Sequence, residues 1–386
     1  MRSQVILHRT KVTSNTHISG LHIASGVGHV NVSRSHITSN MGDGLNITYA
    51  GGARNISRTI ISGNSGRGIA VWFNETSVKL AAEQETVVEY TEISQNLDTG
   101  IFIGNYCRPA IVNISMNVFS GGKKPGIKVL SCWRQISRSF SYILSIFIGH
   151  NKFEQNDDFA IILQPLVNSE TVIEHNAFNL QSKGCLVIQG VDKKELETLP
   201  AHVEVRHNVF ERNRGIFVAN LGLNHFSPRQ KLIFTQNFVR WNVISEPYSS
   251  MLNSRSRVAA PVVVASANVV VFRNILQNPE SKFEIGSHMV DQSFVLNCTY
   301  NWLGSKEEKD IYYRVFDRKD RFNLARINFI PFLLSPTDPN TDIAAQFQQF
   351  VPVFDSADRM IGGEISGRES LKSGEYRYFL VINKFL

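Results

Sequence analysis

Gly44-Leu45-Asn46-Ile47 is followed 24 residues later by Gly68-Ile69-Ala70-Val71, and preceded 24 residues earlier by Gly20-Leu21-His22-Ile23. The phrase continues as Gly100-Ile101-Phe102-Ile103, Gly126-Ile127-Lys128-Val129, Ala160-Ile161-Ile162-Leu163, Cys185-Leu186-Val187-Ile188 and Gly215-Ile216-Phe217-Val218. Apolar residues at i and i+2 are the period of a strand with one buried face, and no comparable helical stripe occurs before residue 340. A return of 24 residues, stretched elsewhere to as many as 34 between Gly126 and Ala160, is one solenoid turn that carries loops. The chain is therefore expected to be all-β and to grow coil by coil, so that its length sets the number of coils.

Between the phrases lie a second apolar strand and an asparagine turn, as in Val203-Glu204-Val205-Arg206-His207-Asn208-Val209-Phe210. The turn recurs as His150-Asn151-Lys152-Phe153 and His175-Asn176-Ala177-Phe178, and in shorter form at Asn117-Val118-Phe119 and Gln236-Asn237-Phe238. Parallel pairing between coils, about 4.8 Å along the axis, stacks residues of equal register. An amide both donates and accepts, so Asn117, Asn151, Asn176, Asn208 and Asn237 are expected to form a hydrogen-bonded file at a tight corner, with the following Phe stacked inside. That structural role is preferred over a catalytic use of the His-Asn pairs.

Residues 1–335 read as the solenoid. Its closing stretch, about 300–335, carries Trp302, the charged run Lys306 to Asp310, Tyr312, Tyr313 and Pro331, which suit a cap over an open sheet edge. Residues 336–386 read as a linker and the start of a further, truncated β module around Gly362 to Gly367. The first residues lack the apolar core of a secretion signal, and the most apolar stretch, Val258 to Phe272, is interrupted by Pro261, Ser266 and Asn268. The repeat is in register by Gly20 and a strand pattern runs almost to the last residue, so a fragment of something longer is expected. Forty basic residues against thirty-three acidic give +7, spread without a tract, and no nucleic-acid partner is expected. Arg206, His207, Arg212 and Arg214 are the densest basic group; such a group suits an anionic glycan, but it falls at a predicted turn, where charges are ordinarily solvated, and that reading is preferred.

The coil pattern Asn-x-Phe-x-x-Asn-x-x-Gly-Ile, matched by Asn208 to Ile216 and in part by Asn151 to Ile161, resembles right-handed single-stranded parallel β-helix repeats of the pectin-lyase-like superfamily. The closing Asn-Trp-x-Gly, Ile-x-x-Arg-x-x-Asp and Pro-Phe elements extend the resemblance over about residues 1–335. More narrowly, the run of the sequence is similar to one β-helix segment of a family of very large animal cell-surface proteins of tricellular septate junctions. That resemblance implies an extracellular structural or adhesive module, anchored to a membrane only through other parts of its parent. Its implied partners are other junction proteins, cell-surface proteins or a second copy, and glycans.

The superfamily includes polysaccharide lyases and hydrolases, which need paired carboxylates, or acids for Ca²⁺ with a basic residue. Asp43, Asp98 and Asp157 take similar places just before their phrases, but each lacks a second carboxylate offset by two, and acids beside Asn and Gly are ordinary turn chemistry. The histidines show no metal-ligand spacing. No catalytic residue, metal ligand or cofactor is assigned; a carbohydrate-active enzyme or a carbohydrate-binding module is the alternative class.

Asn-x-Ser/Thr sequons occur at Asn31, Asn46, Asn55, Asn74, Asn113 and Asn297. Asn31, Asn55 and Asn113 each precede a phrase glycine by thirteen residues and sit between apolar neighbours, which places them in one outward file. A glycan-bearing sheet is the favoured reading, and duplication of a sequon with its repeat is the other. Cys107 and Cys132 follow Gly100 and Gly126 by seven and six residues, a register that admits a disulfide. Cys185 reads as a buried thiol. The residue between the buried positions of each phrase faces outward, and Phe102, Ile162, Val187 and Phe217 make that file apolar in later coils, which calls for a partner or a covering loop.

Overall fold

The computed structural model describes residues 3–16, 18–24, 27–48, 52–73, 84–106, 110–131, 143–165, 169–190, 201–223, 229–245, 259–337, 349–354 and 360–366. Within them three long sheets run in parallel, each strand pairing with the strand of the next coil. Sheet 1 has twelve strands, from Ser3–His8 to Arg326–Asn328; sheet 2 has ten short ones, from Lys11–Thr13 to Ile275–Gln277; sheet 3 has eleven, from Leu21–Ile23 to Val315–Phe316. One continuous apolar core, from Ile23 to Phe329, fills the space they enclose. The protein is an all-β parallel β-helix.

The repeated phrase makes sheet 3, pairing Leu45 with Ile69, Ile69 with Ile101, Ile101 with Ile127, Ile127 with Ile161 and Ile161 with Leu186. Its glycines answer to close approach: a Cβ on Gly68 or Gly100 would lie 2.6 or 2.5 Å from the carbonyl oxygen of the next coil's phrase glycine. Sheet 2 supplies the inward aromatic file expected from the Asn turn. Phe119, Phe153, Phe178 and Phe210 stack at centroid separations of 4.7, 4.9 and 4.5 Å, nearly coplanar. Earlier in that file Ile37, Ile61 and Ile93 hold the same positions.

The eighth phrase is corrected by the structure. Leu186, Val187 and Ile188 pair with Ala219, Asn220 and Leu221, so Gly215-Ile216-Phe217-Val218 lies three residues ahead of the true register. Arg214–Gly215 instead pairs with Val243–Ile244 in a small extra sheet, in the stretch of chain between sheets 2 and 3. A Cβ on Gly215, at φ +145°, would lie 2.0 Å from the Lys183 carbonyl oxygen, so this glycine serves a different close approach from the phrase glycines.

The last coil keeps to the sheets. A short helix, Glu308–Arg314, buries Ile311 and leads into Val315–Phe316, which pairs with Ile285–Gly286; Arg326–Asn328 closes sheet 1 against Val295–Asn297. Farther on, Gln349–Phe354 and Met360–Ser366 pair antiparallel. Among the described residues no helix is long and apolar enough to cross a membrane.

Candidate functional surfaces

Two tight corners in each coil generate the files that organise the surface. At the first corner, between sheets 1 and 2, a residue with positive φ (50° at Arg9, 57° at His150, 55° at Tyr300) is followed by the file residue. Asn117, Asn151, Asn176, Asn208 and Asn237 stand there in one chain, extended by Asn274 and Asn301. Each Nδ2 donates to the next Oδ1 at 2.9–3.1 Å. Each Oδ1 also accepts the backbone N–H of the preceding file residue, as Asn208 does from Asn176 at 3.0 Å. The second Nδ2 proton goes back to a carbonyl of the coil before, such as Ile148 O for Asn176 at 2.9 Å. The file is buried, which leaves no amide for substrate chemistry.

In the first coils the same corner uses hydroxyls. Thr10 N–H donates to Ser35 Oγ, Ser35 N–H to Thr59 Oγ1, Thr59 N–H to Thr91 Oγ1 and Thr91 N–H to Asn117 Oδ1, at 3.1, 3.4, 3.4 and 2.9 Å. Sequence reasoning missed these because Ser and Thr are common everywhere in the chain. It also missed a second file, between sheets 2 and 3, although the second Asn of the coil pattern marks it. Asn15, Asn40, Asn64 and Asn96 are linked there at 2.8–2.9 Å. Gly122 interrupts the file, its N–H donating to Asn156 Oδ1 at 3.0 Å. The file resumes through Gln181, Asn213, Asn242 and Asn278. It ends on Glu284, fully buried, which accepts from Asn278 Nδ2 at 2.6 Å and is paired with Arg314. Burial pushes the Glu284 carboxyl above its ordinary range, against the pull of Arg314 and Asn278.

Asn31, Asn55 and Asn113 share the file that their thirteen-residue offset indicates. Ile6, Asn31, Asn55, Val87 and Asn113 are consecutive members of one outward file on sheet 1. Asn31 and Asn55 are exposed and Asn113 is half-buried. Asn46, on sheet 3, donates its Nδ2 to Asp43 Oδ2 at 3.1 Å. Asn297 differs: it continues the sheet 1 file, paired with Val270, but is 7% exposed, with Thr299 Oγ1 donating to its Oδ1 at 2.9 Å. Asn74, Cys107 and Cys132 lie outside the described residues. Cys185 and Cys298 are buried free thiols, both pushed up by burial.

The apolar outward file on sheet 3 is also corrected. The file runs Ala70, Phe102, Lys128, Ile162, Val187, Asn220, Val263, so Phe217 is not a member of it. Val187, Phe217 and Val263 are buried together in a satellite cluster, with Phe159, Ile162, Ile216 and Leu223 packed against it. The segment that the register shift displaced, Ile216-Phe217, covers the strip, and Phe217 stacks on Phe159 at 5.4 Å. Phe102 is half-buried, 4.9 Å from the Trp72 ring, with the Arg67 guanidinium over both.

The three turn acids are held by corner contacts. Asp43 Oδ1 accepts from Arg67 N–H at 2.8 Å, Asp98 Oδ1 from Thr99 N–H at 2.7 Å, and Asp157 Oδ2 pairs with Lys123 Nζ at 2.6 Å. Another group is brought together only by cross-coil register. His202 and Glu204 point outward from one strand of sheet 1, and Glu170 pairs directly with His202 from the neighbouring strand. One ligand atom from each lies within 4.8 Å of the others, and all three side chains are half-buried. Arg206 bridges Glu174 at 2.7 Å and Glu204 at 3.1 Å, which accounts for that part of the basic group at the turn.

The chain is 43% identical, over a 404-position alignment covering 99% of its length, to protein bark beetle of Drosophila melanogaster, and spans 13% of that protein. No family model and no solved structure matches it.

Proposed function

Taking this chain as the counterpart of one segment of bark beetle, we propose that it is a non-catalytic, extracellular structural and adhesive module of a large membrane-anchored protein. It supports the assembly of septate junctions at tricellular corners and the epithelial barrier there. The observation that carries this reading is the continuity of the sheets: twelve parallel strands at about 4.8 Å give sheet 1 a length of about 53 Å along the axis. Both corner files are internal, the turn acids make local contacts, and the accessible groups stand on the outer faces of a stiff support. A support of that kind holds binding surfaces at a fixed spacing from a membrane.

The test is made in epithelial cells depleted of the parent protein. Full-length protein is expected to restore transepithelial resistance, and protein lacking this segment is expected to fail. Unaltered rescue by the deleted form contradicts the proposal. Incubation of the secreted segment with acidic polysaccharides separates the enzymatic alternative, since unsaturated or new reducing ends would replace the structural reading.

A further inference from the structure

We propose that Glu170, His202 and Glu204 form a binding site for one divalent transition-metal ion of the Zn²⁺ class on the outer face of sheet 1. The backbone sets the triangle. His202 and Glu204 are i and i+2 on the strand Ala201–Arg206, so they share a face, and Glu170 stands opposite His202 on Ser169–Glu174. Their ligand atoms already lie within 4.8 Å of one another. An ion bound at 2.0–2.2 Å needs them about 3.3 Å apart, which rotation about side-chain torsions supplies without moving either strand.

The donor set selects the ion. One imidazole with two carboxylates suits Zn²⁺ and its neighbours, whereas Ca²⁺ and Mg²⁺ take oxygen shells. Arg206, itself held by Glu174, fixes the Glu204 carboxylate as an outer partner. Lys231 pairs in register with His202 from the following coil and opposes the ion's charge.

The ligands come from two coils joined through residues 191–200, so the ion staples one coil to the next. Its remaining coordination positions face outward, toward water or a side chain of another protein. This site is independent of the proposal about junctions.

The test is calorimetric titration of the full chain, stripped of metal, with Zn²⁺ near neutral pH, with circular dichroism to confirm that each variant folds. The native chain is expected to bind one equivalent, His202→Ala to lose it, and Glu170→Gln, which removes an anionic ligand, to weaken it by more than the roughly 10–100-fold that loss of an outer partner costs. His175→Ala, in the stacked file His150–His175–His207, is expected to bind unchanged, and Lys231→Met to bind more tightly. The proposal is overturned if the folded native chain binds no stoichiometric Zn²⁺, or if His202→Ala and Glu170→Gln both bind as the native chain does. Loss in His175→Ala alone moves the ion to the histidine stack and overturns it as well.

Discussion

The first four coils and the later ones build the same corner from different chemistry. Ser35, Thr59 and Thr91 each give the preceding file residue's backbone N–H an oxygen, starting with that of Thr10, but they donate back to a carbonyl two residues earlier at 2.9 Å. The hydroxyl file therefore stops at every coil. From Asn117 onward the amide donates to its neighbour and also reaches a carbonyl in the coil before, so the file is continuous and ties three coils together. The inner file changes alongside, from Ile37, Ile61 and Ile93 to the stacked Phe119, Phe153, Phe178 and Phe210. The backbone asks only for an acceptor at the corner and an apolar side chain within. The later coils meet both needs with groups that also couple coils to each other.

The contrast can be broken most forcefully at the end of the second file. Arg314→Ala strands the buried Glu284 carboxylate and is expected to cost about 3–5 kcal/mol in denaturant unfolding. Glu284→Gln keeps an acceptor for Asn278 and is expected to cost less. Phe178→Ala, which opens the aromatic file on both sides, should cost about 3–5 kcal/mol, whereas Ile61→Val in the early coils should cost about 0.5–1.5 kcal/mol. At the first corner, Asn176→Ala leaves several buried groups without partners and is expected to cost about 3 kcal/mol, against about 1 kcal/mol for Thr59→Ala. Equal costs in the two halves contradict the distinction drawn between them.

Two smaller effects sharpen it. Burial lowers the pKa of His202, His207 and His288, all in the later coils. The unfolded chain then binds more protons than the folded one between the folded values and about 6.5, so stability rises with pH through that window and is lost as pH falls through it. Unfolding midpoints measured across that range should show the slope, flattened when all three are changed to Gln. Gly122→Asn supplies the missing member of the second file between Asn96 and Asn156 and is expected to stabilise by about 1 kcal/mol.

Much of this was legible because a solenoid repeats its physics. Period-two phrases beginning with glycine marked sheet 3, and Asn followed two residues later by Phe marked the first corner with its inward ring. The thirteen-residue offset put Asn31, Asn55 and Asn113 in one file. Reading failed where another residue type met the same need, as with the hydroxyls of the early coils. It failed again where Gly215-Ile216 imitated a phrase while the true strand, Ala219-Asn220-Leu221, had no glycine to announce it. Glu170, His202 and Glu204 escaped notice because their proximity depends on pairing across residues 191–200, which no linear spacing reveals.

The central claim is that equal positions in successive coils are coupled physically and that the coupling is short-ranged. A double-mutant cycle measures this directly, with Asn176 and Asn208, 32 residues apart and hydrogen-bonded, set against Asn176 and Asn237, two coils apart. A coupling of about 0.5–3 kcal/mol is expected for the adjacent pair and one near zero for the distant pair. Additive effects for the adjacent pair, or equal coupling in both, would contradict it.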